Sequence, residues 1–467
     1  MRSIPIVLAM AFTLANIFVF PIPHTITLRY SFGASVLLIV GYYFFRHSLA
    51  SQISKDLHPV LMVYAALTGW IIFQALAIST ETVWALTEFK KQWLISSVYL
   101  FLGIGLVSSI QSSTSRGNGE ASSWLLILIM AVLASQILFT VIDDLIIYFQ
   151  SGDMPFMRAR LTSGERYDGA DGHTSMSYVS SLLLPILIAD TLARLNFRKR
   201  LLPISAPILV LLFAADLFCL YLMKSRNSIL DALTLLAAAA VMYAHFSLVR
   251  QYRKRIMGGI AVFFLLLGVG AHFAYRYDSR WQTFAETIPL ALKTQQERSW
   301  MHDGQYPRLP DGRDIDASAY LRIAMMKEGL RLVLDHPLGW GYGRQAFYHA
   351  IQNKYGASNY TGPGHSHSGM LDLAIGIGLP GVGLWLLFLA LTVRSAWRQA
   401  SQKRNPTGLL ICLLVLGFFS RSLIDSNLRD HMLEEFLLLL GIYMTLALGD
   451  RRATATPDTG VPVVSKT

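Results

Sequence analysis

The sequence predicts an all-α, polytopic membrane protein of about twelve transmembrane helices, with one large helical loop domain inserted between the ninth and the tenth. Three observations predict it. Apolar residues fill 53% of the 467 positions and charged residues only 15%, where a soluble chain carries about 25%. The apolar positions come in blocks of roughly 20, the length that crosses about 30 Å of hydrocarbon. The charged positions gather between the blocks. The formal net charge of +11 therefore reads as loop charge on a membrane protein, and no nucleic-acid partner is implied.

In chain order, spans are expected near 4–20, 28–45, 59–78, 93–110, 124–142, 174–193, 204–223, 229–248, 257–275, 370–393, 407–423 and 432–449. The first is read as a retained span, because it lacks a charged n-region with a small-residue cleavage site. Residues 1–275 then hold spans one to nine, 276–369 a large loop with two helices, 370–449 spans ten to twelve, and 450–467 a polar tail. The spans read as mostly continuous, with no internal repeat. Cys219 and Cys412 fall inside spans as packing residues, so neither a disulfide framework nor a zinc site follows.

Orientation comes from the positive-inside rule. One set of alternate connections holds Arg46, Lys55 and Arg116, then Arg194 to Arg200, Arg250 to Arg255, and Arg394 to Arg404, and the tail adds Arg451 and Arg452. That side is expected to be cytoplasmic, with both termini inside and the large loop outside. In a bacterium this is an inner-membrane protein with a periplasmic loop. Yet the outward side also carries Lys90, Lys91, Arg158, Arg160, Arg166, Lys224, Arg226, Arg276 and Arg280. Cations there work against the topology signal, and an anionic ligand at the outer membrane surface would account for them. Pairing with nearby Asp153, Glu165, Asp168 and Asp171 is the plain alternative.

Within the loop, Ser318 to Asp335 reads as a helix, capped by Asp316 or Ser318 and stopped by Pro337. A second helix runs from about Arg344 to Tyr355 and ends at Gly356. Between them, His336-Pro-Leu-Gly-Trp-Gly-Tyr-Gly343 is a rigid turn whose glycines allow close backbone approach. A paired helical lid over a membrane cavity is the expected architecture.

Three constellations carry chemistry. Lys224-Ser-Arg-Asn-Ser228 joins two spans by a short outward turn, which puts Arg226 at the membrane boundary, where a guanidinium fits a phosphate bidentately. Snorkelling to the interface is the alternative. Gly364-His-Ser-His-Ser368 lies where the chain re-enters the membrane, with both histidines expected to be exposed. Imidazole titrates near neutrality and suits proton abstraction from a hydroxyl; a metal pair would need further ligands. Ser420 to Arg429 is another outward turn, whose Asp425, Asn427 and Arg429 suit sugar hydroxyls or the orientation of a base. Asp143 and Asp144 form an acidic pair near an outward span end, and Asp216 lies inside a span. There is no P-loop, no dinucleotide fingerprint and no cytoplasmic acidic pair for a nucleotide-sugar metal. Chemistry outside, where nucleotides are scarce, calls for a preactivated lipid-borne donor. A polyprenyl pyrophosphate fits the outward arginines.

Taken in order, the Ser225-Arg226 turn, the Arg322 helix leading into His336-Pro-Leu-Gly-Trp-Gly, and His365-Ser-His-Ser368 resemble the bacterial O-antigen ligase branch of the O-antigen ligase/polymerase superfamily. Arg160-Leu-Thr-Ser-Gly164 is similar to the family's earlier outward loop. The resemblance covers Arg158 to Arg429. It implies a GT-C-type membrane glycosyltransferase that moves O-antigen glycan from undecaprenyl pyrophosphate to lipid A–core at the periplasmic face. The implied mechanism is inverting and metal-independent, with no cofactor. His367 becomes the base, and Arg226 and Arg322 the groups that stabilise the leaving pyrophosphate. Arg160, Lys90 and Lys91 are further candidates for the same anion, and His365, Asp425 and Arg429 for substrate binding. Ser368 departs from the asparagine the family often shows after the histidine. An O-antigen polymerase or a ligase acting on protein acceptors is the nearest alternative; a lipid-linked oligosaccharide transporter is the alternative of a different class.

Overall fold

The structure is a computed structural model that describes residues 4–47, 54–113, 119–162, 173–247, 258, 259, 261, 276, 279–302, 305–356 and 360–449. The expected span at 257–275, the tail at 450–467 and Arg166 lie wholly or almost wholly outside these. Every regular element among the described residues is helical. In chain order they are α1 (Ile4–Val19), α2 (Ile26–His47), α3 (His58–Ala77), α4 (Thr82–Glu88), a π turn (Phe89–Leu94) that runs straight into α5 (Ile95–Ser113), α6 (Gly119–Ser151), α7 (His173–Leu192), α8 (Ala206–Met223) and α9 (Arg226–Phe246). Three loop helices follow: α10 (Ser279–Ala291), α11 (Ala317–Asp335) and α12 (Ala346–Tyr355). The chain then returns through α13 (Gly369–Lys403), α14 (Pro406–Ser422) and α15 (Asp430–Gly449).

Among the described residues, nine helical stretches are long and apolar enough to cross a membrane, and the shorter apolar helices α1 and α14 fall on the first and eleventh expected spans. Their burial sorts them. The α7 stretch is 89% buried and that of α2 only 22%, so α7 is central and α2 faces outward toward lipid. Helices α5 and α15 cross with their backbones nearly touching. A Cβ on Gly103 would run into the Leu438 carbonyl, and one on Gly441 into that of Leu100. Small residues at such a crossing let two helices gain dispersion contacts that lipid tails do not supply.

The tenth span is not continuous, contrary to expectation. Helix α13 breaks at Gly378, whose φ of 71° and ψ of 178° no residue with a side chain adopts comfortably. The break frees three carbonyls, and each finds a donor from elsewhere. The Ile375 carbonyl accepts from the amide of Trp340 (2.8 Å) and that of Gly376 from the amide of Gly341 (3.0 Å). The Ile377 carbonyl accepts from the Trp70 indole at 2.8 Å. Within an intact helix, the Gly376 carbonyl would need an N–H from position 380, and Pro380 has none. The Leu379 amide, released from its helical partner, donates to the Pro337 carbonyl at 2.8 Å. The loop's Pro-Leu-Gly-Trp-Gly turn therefore replaces a turn of helix.

The loop segment holds three helices rather than the expected two, α10 being the addition. Asp316 caps α11, its Oδ1 accepting from the Ala319 amide at 3.0 Å. Trp300, Tyr320, Met325, Trp340, Phe347 and Tyr360 form its core, which continues into Ala374 and Ile375 of α13. Buried Glu328 ties α11 to α12 by accepting from Lys354 Nζ and from the Tyr355 hydroxyl, both at 2.7 Å. Glu88 of α4 grips Arg344 from the other side, with Nε to Oε2 at 3.0 Å and Nη2 to Oε1 at 3.2 Å. The loop is thus packed onto the bundle as one body with α13.

The glycine at the break is expected to be irreplaceable. Gly378→Ala forces a Cβ into the Pro337–Leu338 backbone, whereas Gly383→Ala, farther along the same helix, meets nothing within 4 Å. In detergent, Gly378→Ala should lose at least about 1–3 kcal/mol and expose the loop to limited proteolysis, while Gly383→Ala should match the parent. Equal thermal midpoints and equal cleavage for the two variants would refute the docking role of the turn.

Candidate active site

The two histidines sit at the N-terminus of α13, held from three directions. Ser368 occupies the cap position; its Oγ accepts from the Leu371 amide (3.4 Å) and donates to the Ser422 carbonyl (3.3 Å). The Gly369 amide donates to the Asp425 carbonyl at 2.9 Å. Asp372, one turn into the helix, reaches back: its Oδ1 accepts from the Ser366 amide at 2.7 Å and its Oδ2 from the Ser426 hydroxyl at 2.8 Å. These bonds hold His367 at a φ of 62°, a left-handed conformation uncommon outside glycine. Both imidazoles are half-buried rather than exposed.

Their mutual geometry defines a protonation state. His365 Nδ1 accepts from the backbone N–H of His367 at 3.3 Å. The same Nδ1 lies 3.3 Å from Ser426 Oγ, whose single proton points to Asp372. A lone pair on Nδ1 satisfies the His367 amide, so neutral His365 carries its proton on Nε2. The rings stand edge to face, 4.5 Å apart.

Cations surround the pair. Burial, then the charges of Arg429, His367 and Arg322, push the His365 pKa down to about 3. Burial, then Arg322, lowers that of His367 to about 4, with Arg429 adding to the fall and Asp425 opposing it. Both rings are therefore neutral near pH 7 and able to accept a proton. Arg322 reaches in from α11, its Nη1 donating to Asn227 Oδ1 at 3.4 Å. Asn227 Nδ2 donates in turn to the Ile424 carbonyl at 3.2 Å. Arg226 precedes Asn227 and begins α9, so its backbone lies at this same junction.

The structure thus brings together His365, His367, Arg322, Asp425 and Arg429, with the Arg226 backbone beside them. Others lie apart. Arg160 is on a short 3-10 turn, exposed, 3.8 Å from Asp143. Lys90 and Lys91 are exposed on the π turn. Only their neighbour Gln92 lines the small cleft shared with Arg344, Asp372, Ser426 and Arg429. Asp425 is held through its Oδ2 by buried Arg421, at 2.9 and 3.0 Å. Sequence reasoning missed Arg421, Asn227, Asp372 and Ser426. The available signal was Asp372 itself, an ionisable residue one turn inside an apolar span.

A family model described as O-antigen ligase matches residues 208–386, from α8 to the middle of α13. Over that stretch, about two fifths of the chain, the sequence is similar to the O-antigen ligase family. That family comprises glycosyltransferase-like enzymes of O-antigen processing, and the match supports a function of the ligase or polymerase type in general. The matched stretch includes Arg226, Arg322, both histidines and the broken part of α13, but not Arg421 to Arg429. No curated protein matches the chain.

The low imidazole pKa is directly measurable. Carbon-13 NMR of histidine-labelled protein should show His367 titrating near pH 4, well below the ordinary value of about 6.5. Arg322→Gln should move that midpoint upward, since it removes the cation that disfavours imidazolium. A parent midpoint at the ordinary value would disprove the electrostatic picture of the site.

Proposed function

We propose that the chain is an O-antigen ligase. It would transfer a preassembled glycan from undecaprenyl pyrophosphate to a lipid A–core acceptor at the periplasmic face of a bacterial inner membrane. The carrying observation is a neutral imidazole pair, locked by Asp372 and Ser426, facing the guanidinium of Arg322 and that of Arg429. In this reading His367 takes the proton from an acceptor hydroxyl. The freed oxygen bonds to the anomeric carbon from the face opposite the pyrophosphate, and the carbon–oxygen bond to the pyrophosphate breaks with inversion. The departing pyrophosphate takes the electron pair. Arg322, Arg429 and, from the head of α9, Arg226 stabilise its growing charge, the type of preorganised term that often dominates catalysis.

The same arginines give the donor a second role. By themselves, with burial, they depress the His367 pKa and make it a weak base. A bound pyrophosphate offsets their field, which raises that pKa toward the ordinary range and strengthens the base once the donor is in place. The base form is lost as pH falls through the pKa, so the acid limb of transfer should lie between about 4 and 6.5 with donor saturating. A limb above pH 7 would contradict this assignment.

Base and anion ligand separate by mutation. His367→Asn retains a residue type that tolerates the left-handed backbone but removes the proton acceptor. Transfer by purified enzyme should fall by about 10²–10⁴-fold with donor affinity nearly unchanged. Arg322→Gln should lower both transfer and donor affinity, because the pyrophosphate is charged before reaction begins. If His367→Asn loses donor binding as badly as Arg322→Gln, the histidine is a pyrophosphate ligand and not the base. Turnover should also survive chelation, since guanidinium groups are assigned the neutralising role. Loss in chelator with recovery on adding a divalent ion would overturn that part.

A further inference from the structure

The end of the bundle opposite the histidines carries two adjoining cavities that this chemistry does not use. The last turns of α13 hold Arg394, Arg398 and Lys403, and Lys55 faces them from the short turn before α3. With Ser395, Gln399 and Gln402 they line a cleft of about 250 Å³ whose only acid is Asp56. Arg394 and Arg398 also border a second cavity, a groove of about 610 Å³ walled by α9, α13 and α14. Its lining is almost wholly apolar and includes Met242, Leu389, Trp397, Cys412 and Phe419. Trp397 anchors the end of α9, with the His245 and Phe246 rings each 5.0 Å away. Gln399, buried and lining the basic cleft, has an Oε1 with no hydrogen-bond partner.

We propose that the two cavities form one binding site for an anionic phospholipid. The phosphate would lie on Arg394 and Arg398, which border both cavities, the head group would extend into the cleft toward Gln399, and an acyl chain would fill the groove. Each half by itself has a simpler reading. Basic residues at this end follow the positive-inside pattern, and an apolar groove on a membrane helix meets lipid of any kind. The juxtaposition is what selects the ligand. A free phosphate makes no use of the groove, and a zwitterionic lipid gains little from four cations that have a single acid among them. A guanidinium pair holds a phosphate with charge-assisted, bidentate hydrogen bonds, and each cation near an anionic head group contributes about a five-fold preference. A head-group hydroxyl would also satisfy Gln399 Oε1, which otherwise stays buried at a cost.

The rival occupant is the chain's own apolar 257–275 segment, which would fill the groove and leave the cations alone. The full-length protein is placed in nanodiscs of unbrominated phosphatidylcholine, doped with brominated phosphatidylglycerol or brominated phosphatidylcholine. Quenching of Trp397 is read as the parent signal minus that of Trp397→Phe. The anionic lipid should quench at a mole fraction at least about five-fold lower than the zwitterionic one. The Arg394→Gln/Arg398→Gln double variant should lose that preference. Equal quenching by both lipids would show a groove without head-group selection, and absence of quenching by either would show that the chain covers it; each result overturns the proposal. Should Trp397→Phe fail to fold, native mass spectrometry decides the same question. The parent should retain phosphatidylglycerol that the double arginine variant does not, and equal retention sinks the idea.

Discussion

Three carbonyls, on Ile375, Gly376 and Ile377, set the terms for much of this molecule. In hydrocarbon a carbonyl without a donor costs several kcal/mol, so a broken spanning helix survives only where something replaces the missing amides. Here the replacements are the Trp340 and Gly341 amides and the Trp70 indole. Two of the three come from the loop and one from α3. Loop position, helix break and bundle packing are therefore one constraint. The close contacts of Gly339 and Gly341 follow from it, since a Cβ at 339 would strike the α13 backbone and one at 341 would meet Ser79 and Trp84. The constraint also carries function: α11 bears Arg322, and the α11-to-α13 connection is what aims it at the histidines.

The second theme is how the fold handles charge near hydrocarbon. Arg421 is almost fully buried, yet its guanidinium meets Asp425, the Thr174 carbonyl and the face of Tyr178. It acts as a post between α14, α7 and the turn before α15, and that turn places Ser426 and Arg429 beside the histidines. Arg322 and Arg429 are treated differently. Their charges are felt at the imidazoles of His365 and His367. Arg421 holds the site together, and the charges of Arg322 and Arg429 act on the imidazole pair.

Much of this was legible in the sequence because the residue types are costly where they stand. Arg226, Arg322 and the His365–His367 pair draw attention because cations and imidazoles at span ends need a reason. The loop helices were legible from Asp316, Pro337 and Gly356, all local signals; α10 was not, because Pro289 stands inside it. The partner of Asp425 was not legible: Arg421 is four residues back at the end of α14, a pairing that only the folded turn makes. Asp372 and Ser426 are 54 residues apart and meet only through tertiary structure. The break at Gly378 was half-legible. Gly378-Leu-Pro380 announces a lost donor, but not that the loop supplies the substitute.

That last point bears on the choice between enzyme and transporter. Broken helices near the middle of a membrane are where transporters bind substrate, because unwound carbonyls and half-helix ends point into a cavity. A break in α13 would favour that reading if its carbonyls were open. They are not. Each is occupied by a donor of this same chain, and the gap is filled by Trp340 and the glycines around it. The polar groups of the candidate site lie at one end of the bundle, around His367 and its left-handed backbone. A transporter has no need for an imidazole pair kept neutral by burial and neighbouring guanidiniums. The proposed group transfer from a charged lipid carrier would use such a pair, and on that reading the break seats the loop so that the Arg322 charge reaches His367.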